Sequence, residues 1–385
     1  MNIKETEEGF DLSIIREDFT KVIFTDSLLV KNFEILNQLV PERKFFVLDE
    51  KIYEFYKENL KVLGEDYLIL KGGDENKNLR ELMMIIDSMF SKKVTKKDAL
   101  VAIGGGIASD ISGLASNLYF RGIDNIIIPT TLLGMIDAAV GGKVAINYPG
   151  FKNMIGSFYQ PRVVIISPEF LDTLNDREFA GGMAEIIKQA VISSKEMFEF
   201  LEKNRNFILE RNHNFLIELM KKSAKFKILA LGENCYERNL SRPLNFGHCI
   251  GHPIEVITKY NIIHGEAVAI GMALATEIAY LENRLKKEER DRIIRLIINY
   301  DLPFNITETK LEELWEHIST EKLKRGSSSK LLFVLPKEIA SIEVIDNITY
   351  EQLRAAQKSI EESFGDGRFN EKILPINQTQ HNFYK

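Results

Sequence analysis

The sequence predicts an α/β first half built around a parallel sheet, followed by a mainly helical second half. Three observations predict it. Five short apolar runs rich in β-branched residues lie between positions 44 and 166, each closed by turn residues, as buried parallel strands are. Helical patterns separate them, and alternating β and α elements put helices on the faces of a parallel sheet. From about Asp176 the apolar spacing becomes long and helical, with one strand-like run left.

Taken in order, residues 44–50 (KFFVLDE) form an apolar run ending in acid, and residues 67–70 (YLIL) form a second, followed by Gly72 and Gly73. Between it and the third lies a helical pattern at 78–90 (NLRELMMIIDSMF). Residues 99–103 (ALVAI) run straight into Gly104, Gly105 and Gly106. Residues 125–128 (NIII) are closed by Pro129, Thr130 and Thr131, and residues 163–166 (VVII) complete the set. Helical patterns then cover 180–192, 195–204, 214–231, 247–258, 265–281 and 287–299, with 330–335 (KLLFVL) strand-like. A chain of 385 residues exceeds the ~250–300 at which single cores stop growing, so two domains are expected: 1–175 and 176–365, with a polar extension at 366–385.

Composition excludes several classes. Fifty basic against fifty-six acidic residues give a net charge of −6, with no basic patch for a nucleic-acid partner. No apolar run reaches the ~20 residues of a membrane span, and no signal-like start is present. Two cysteines cannot build a disulfide framework, so the expectation is a cytoplasmic protein with no membrane partner, in which matches such as Asn305-Ile306-Thr307 are chance glycosylation patterns.

Two features stand out chemically. The Gly104–Gly106 triplet joins a strand to a helix start, where backbone N–H groups approach phosphate closely; a tight turn without ligand is the other reading. Asp49, ending its strand, suits a ribose hydroxyl or a helix cap. Three of the six histidines, His248, His252 and His264, fall within seventeen residues, with His248 and His252 on one helix face. Imidazoles plus a buried carboxylate suit a divalent metal, and Glu185 in the apolar MAEIIK segment is the candidate carboxylate, unless it simply pairs with Lys188. Lys143 after Gly141-Gly142, the pair Lys152-Asn153 between Gly150 and Gly156, and Arg121-Gly122 are cations and amides in glycine-bounded loops, suited to a phosphorylated or carboxylated ligand or to plain solvation.

In order along the chain these pieces read Gly104-Gly105-Gly106 to Asp110, Tyr119-Phe120-Arg121-Gly122, Ile128-Pro129-Thr130-Thr131-Leu132-Leu133, Asp137, Gly141-Gly142-Lys143, Lys152-Asn153-Met154-Ile155-Gly156, Phe158-Tyr159-Gln160-Pro161 and Ala184-Glu185-Ile186-Ile187-Lys188. Leu244-Asn245-Phe246-Gly247-His248, Gly251-His252 and His264-Gly265-Glu266 through Met272 follow. Over residues 40–350 the sequence strongly resembles the 3-dehydroquinate synthase family, the sugar phosphate cyclases. The resemblance implies a Rossmann-like NAD-binding α/β domain, a mainly α-helical metal-binding domain and a homodimer. It implies a metal, zinc or cobalt, held by Glu185, His248 and His264. It implies an NAD site lined by Asp49, Asp74, Lys77, Gly105, Gly106, Asp110, Thr130, Thr131, Asp137, Lys152 and Thr173. Lys143, Asn153, Lys188, Lys227, Asn245 and His252 would face a small phosphorylated sugar, Lys322 aligns less closely, and Arg121 would reach a phosphate, across the dimer interface in this family.

The implied reaction is cyclisation of a seven-carbon ketose phosphate, with phosphate elimination through transient oxidation by NAD. At the carboxylate end the sequence departs from the family pattern. Ser241 stands where 3-dehydroquinate synthases carry an arginine, and Arg242 lies one place on, before Pro243. Val144 replaces a threonine, Thr320-Glu321-Lys322 replaces Asp-Lys-Lys, and residues 174–177 replace a proline-containing turn. A 3-dehydroquinate synthase-type cyclase is favoured, because Lys227, Asn245 and His252 are kept; a valiolone-type synthase acting on sedoheptulose 7-phosphate is the alternative. A metal-dependent polyol dehydrogenase has no use for the phosphate-binding loops, and a degenerate scaffold would have lost ligands that are all present.

Overall fold

The computed structural model describes residues 2–6, 9–13, 18–40, 42–148, 151–232, 243–324, 332–346 and 348–367. They divide into two compact units. The first runs to Leu174 and takes in a later stretch at 213–232; the second starts at Asn175 and holds the other described residues.

In the first unit a hairpin, β1 (Asn2–Thr6) and β2 (Gly9–Ser13), precedes β3 (Lys21–Phe24), α1 (Glu34–Leu39), β4 (Lys44–Asp49), α2 (Glu50–Leu60) and β5 (Tyr67–Leu70). Then come α3 (Leu79–Ser91), β6 (Ala99–Gly104), α4 (Gly106–Leu118), β7 (Asp124–Pro129), the hairpin β8 (Lys143–Tyr148) and β9 (Phe151–Phe158), and β10 (Val163–Ile166). Six strands form one parallel sheet in the order β3-β10-β7-β6-β4-β5. All five expected sheet strands are present within a residue or so; β3 and the β8–β9 hairpin were not expected. β3 is only four residues long, and the hairpin's lysine, asparagine and glycine content reads as loop.

Strand alternation sends Leu100 and Ala102 of β6 to one sheet face. There they join Phe45, Val47, Leu70, Leu82, Ile85, Met89, Ile111 and Leu114 in a core sealed by α3 and α4. Helix α3 begins on Asn78, whose side chain accepts the Glu81 N–H at 3.1 Å, a cap that stabilises a helix start by roughly 1 kcal/mol.

The second unit is helical: α5 (Asp176–Ser193), α6 (Lys195–Leu209), α8 (His248–Ile257), α9 (His264–Leu281), α10 (Lys287–Asn299), α11 (Glu308–Lys324) and α12 (Tyr350–Phe364), with the hairpin β11 (Leu332–Glu338) and β12 (Ser341–Asp346). Helix α9 is buried almost all round, from Gly265 to Ala279, as an axial helix wrapped by others must be. It touches α5, α8, α10 and α12. Two backbone approaches require glycine. A Cβ on Gly265 would collide with the Gly181 carbonyl of α5, and one on Gly271 with the Gly247 carbonyl ahead of α8. These approaches bring α5 and α8 into van der Waals range of α9.

The expected boundary at 175/176 places all later helices in the second domain. The structure differs at α7 (His213–Leu231), which packs on the turn Gly134–Ala138 and the segment Pro168–Thr173 of the first unit. An apolar period shows that a helix has a buried face, not what covers it. The expected extension at 366–385 also begins too early: the Gly367 carbonyl accepts the Phe304 and Asn305 N–H groups at 3.1 and 3.2 Å, and 368–385 lie outside the described residues. Among the described residues no helix is long and apolar enough to cross a membrane.

Candidate active site

In the second unit, Glu185 lies mid-helix on α5, His248 opens α8 and His264 opens α9. Glu185 is almost fully buried, and its two oxygens do different things. Oε2 pairs with the equally buried Lys188 at 2.5 Å, so the i, i+3 ion pair read from sequence exists. Among the described residues Oε1 has no hydrogen-bond partner, yet it stands 3.4 Å from His248 Nε2 and 3.5 Å from His264 Nε2. A buried carboxylate oxygen without a donor is costly. Two ligands of one tetrahedral zinc, each about 2.0–2.1 Å from it, stand about 3.3 Å apart, so these separations fit a shared divalent ion.

The far ring nitrogens strengthen that fit. His264 Nδ1 lies 3.2 Å from Glu255 Oε2, and His248 Nδ1 lies 3.2 Å from the Phe246 carbonyl. Each contact suits a proton on Nδ1 and leaves the Nε2 lone pair for a metal. Burial, with Lys188 nearby, drives the His248 pKa down to about 3, so its imidazole is neutral and ready to ligate. Burial also disfavours charge on His264, but Glu185 and Glu255 outweigh it and hold its pKa up to about 10. Two carboxylates facing one ring ask for positive charge, which a divalent ion supplies while displacing the proton. Despite its burial Glu185 stays ionised, because Lys188 and the histidines hold it well below the usual carboxylate range.

His252 completes the group. The ligand atoms of His248, His252 and His264 all lie within 4.8 Å of one another, with the His252 ring 5.0 Å from His248 and 5.7 Å from His264. Asn245 sits in the short turn just ahead of α8. The start of α9 is braced by Arg177, whose Nε and Nη2 donate to the two oxygens of Glu266 at 2.6 and 2.7 Å. Glu266 also accepts the Ile263 N–H at 3.0 Å, so the residue preceding His264 is fixed.

In the first unit, the chain leaves β4 for β5 on one side while β6 lies on the other. Strand order therefore reverses at β4/β6, where ligands of parallel sheets sit beyond the carboxyl ends. Asp49 ends β4 and Gly104 ends β6; a Cβ on Gly104 would fall 2.9 Å from Asp49 Cβ and 2.7 Å from Ala108 Cβ. Gly105 caps α4, leaving the first-turn N–H groups from Gly106 onward at the switch point. The Thr130 N–H donates to Gly104 at 3.0 Å, and Thr131 Oγ1 accepts the Gly134 N–H at 3.1 Å, so the end of β7 braces the turn. Asp49 accepts the Lys51 and Ile52 N–H groups, which makes it a helix cap, while burial raises its pKa.

Around that turn the expected polar residues pair off. Buried Lys77 donates to Asp110 Oδ2 and Asn153 Oδ1, both at 2.5 Å. Lys152 pairs with Asp74 at 2.6 Å, and Lys227 of α7 reaches Asp137 Oδ1 at 2.6 Å. Burial pushes the Asp110 carboxyl pKa up against the pull of Lys77. Asp137 lies in a single π-helical turn, Gly134–Ala138, a distortion that often marks functional sites. Thr173 lies apart, its hydroxyl 2.9 Å from that of Tyr56. Lys143 and Arg121 are exposed. Ser241 and Arg242 lie outside the described residues, as does the side chain of Lys322.

Two participants were missed in the sequence. Glu255 follows His248 by seven residues and His252 by three, so helical spacing alone puts it on their face. Asn147 knits the Lys77 set: its N–H donates to the Lys77 carbonyl at 2.7 Å, its Nδ2 to the Asp74 carbonyl at 3.0 Å, and its Oδ1 accepts the Asn153 N–H at 3.0 Å. Sequence carried no signal for it.

Comparison with known proteins adds family matches to this geometry. Residues 67–181 match the 3-dehydroquinate synthase N-terminal model and residues 182–324 the 3-dehydroquinate synthase C-terminal model. The chain is 39% identical over 349 residues to a 3-dehydroquinate synthase of Prochlorococcus marinus (strain MIT 9312), covering 89% of this chain and 93% of that one. It is 31% identical over 355 residues to a 2-epi-valiolone synthase of Actinosynnema mirum, covering 90% and 93%. Among solved structures, 2-epi-5-epi-valiolone synthase from Streptomyces hygroscopicus subsp. jinggangensis 5008, with NAD+ and Zn2+ bound, superposes with a TM-score of 0.82 at 26% identity, covering 91% of this chain and 99% of that one.

Proposed function

Because the chain belongs to the 3-dehydroquinate synthase family of sugar phosphate cyclases, we propose that it converts a seven-carbon ketose phosphate into a carbocycle with loss of phosphate, as an NAD- and zinc- or cobalt-dependent lyase of the 3-dehydroquinate synthase type. The observation that carries the reading is the buried Glu185 Oε1, without a hydrogen-bond partner among the described residues and set at tetrahedral-edge distance from two Nε2 atoms. When bound, NAD would supply a reversible acceptor for hydride from a secondary alcohol, and the metal would supply a Lewis acid for the oxygen concerned.

The chain's own residues do the holding. Glu185, His248 and His264 bind the metal, with Glu255 and the Phe246 carbonyl orienting the rings. The turn at Gly105 and Gly106, with Asp49, Asp74, Lys77, Asp110, Thr130, Thr131, Asp137, Lys152 and Thr173, serves NAD; the reversal of strand order supports this. Lys143, Asn153, Lys188, Lys227, Asn245, His252 and Lys322 hold the substrate, and Arg121 takes its phosphate. Retention of one substrate through several steps is where proximity contributes most.

The reading includes a homodimer working in the cytoplasm. Exposed Leu118 and Phe120 precede Arg121, and exposed Met154, Ile155 and Phe158 lie on β9; a hydrogen bond of 2.7 Å from Asn117 to Ser157 ties the two segments together. Such apolar exposure suits a partner surface.

A second reading, a valiolone-type synthase taking the neutral sedoheptulose 7-phosphate, is supported by the likeness to 2-epi-valiolone synthase and by Ser241 standing where an arginine is usual. A side-by-side assay separates the two. Protein loaded with NAD and zinc or cobalt is expected to release phosphate from 3-deoxy-arabino-heptulosonate 7-phosphate, and release from sedoheptulose 7-phosphate alone would move the assignment to the second reading.

A further inference from the structure

Arg121 sits in an unusual backbone. Phe120 (φ 50°), Arg121 (φ 59°) and Gly122 (φ 112°) are three successive residues in the positive-φ region. For residues other than glycine this conformation is strained, and neither Phe120 nor Arg121 has the short polar side chain that eases it. Such a turn persists only where its surroundings hold it.

The loop between α3 and β6 does the holding. Lys96 Nζ donates to the Phe120 carbonyl at 3.0 Å and also to the Gly122 carbonyl, the two carbonyls on either side of Arg121. Two residues earlier, the Val94 carbonyl accepts the Tyr119 hydroxyl at 3.1 Å. From the other direction the Tyr159 hydroxyl donates to the Ile123 carbonyl at 2.6 Å, and a Cβ on Gly122 would lie 3.0 Å from that hydroxyl. Fixing the Phe120 carbonyl fixes the peptide plane that leads into Arg121, and holding the Gly122 carbonyl pins the chain just beyond it, so the two contacts together set the direction of the Arg121 side chain. A guanidinium gains most from a bidentate contact with phosphate, which tolerates little misdirection.

We propose that Lys96 is a positioning residue for Arg121, locking the left-handed turn that presents the guanidinium to the substrate phosphate; this rests on the reading of Arg121 given above. The holoenzyme variant Lys96→Met is expected to raise KM for the sugar phosphate about tenfold or more, with kcat within about twofold of the parent and metal content unchanged. Amide exchange at Gly122 and Ile123, whose N–H groups donate to the Tyr119 and Ser116 carbonyls, should quicken. Lys96→Arg, which keeps the charge and the donors, should restore KM, and Lys96→Met should add little on top of Arg121→Ala. A raised KM in Arg121→Ala with an unchanged KM and unchanged exchange in Lys96→Met would overturn the proposal alone. An unchanged KM in Arg121→Ala would overturn the phosphate reading, and the positioning role with it.

Discussion

Purified His264→Ala protein should carry no stoichiometric zinc or cobalt, and its affinity for either metal should fall by more than the ~10–100-fold that loss of an outer hydrogen-bonding partner costs. The fold should survive. Alanine is a strong helix former, and the brace of Arg177 on Glu266 that fixes the start of α9 does not involve the imidazole. What is lost is one of the two Nε2 atoms facing Glu185 Oε1. Elemental analysis after dialysis checks it, and metal content equal to that of the parent would remove His264 from the site.

The second large effect concerns Lys188. It is 7% exposed beside a Glu185 that is 2% exposed, and the pair is closed at 2.5 Å. Removing one partner of a buried pair strands the other charge, at a cost of about 3–5 kcal/mol. Here His264, 3.5 Å from Glu185 Oε1 and with its pKa held up to about 10, still faces the carboxylate, so Lys188→Met should destabilise the metal-free protein by less than that. With saturating zinc the loss should shrink, because the ion gives the carboxylate a positive neighbour and stabilises the folded state through its own binding. Urea unfolding with and without zinc reads both numbers. Equal losses in the two conditions would mean that the metal does not engage Glu185.

Much of this was legible in the sequence for physical reasons. Buried parallel strands need continuous β-branched runs, so β10 shows its limits directly, and the glycines at 104–106 announce a backbone that must come close to something. The histidines were visible because two share a helix face and the third opens the next helix. Other features depend on partners far away in the chain. Lys77 with Asp110, Lys227 with Asp137, and Arg177 with Glu266 are separated by 33, 90 and 89 residues, and no local pattern encodes them. Helix α7 shows the same limit, since its apolar face is plain in sequence but its attachment to the first unit is not. Glu255 was readable by helical spacing, yet only the folded structure shows its carboxylate meeting His264 Nδ1.

A sugar phosphate cyclase uses and regenerates NAD within one turnover. The most direct test follows phosphate and NADH together, in protein loaded with NAD and zinc or cobalt and given a seven-carbon sugar phosphate. Many equivalents of phosphate per protein are expected, with no accumulation of NADH. Accumulation of NADH without phosphate, or no phosphate from either 3-deoxy-arabino-heptulosonate 7-phosphate or sedoheptulose 7-phosphate, would contradict it.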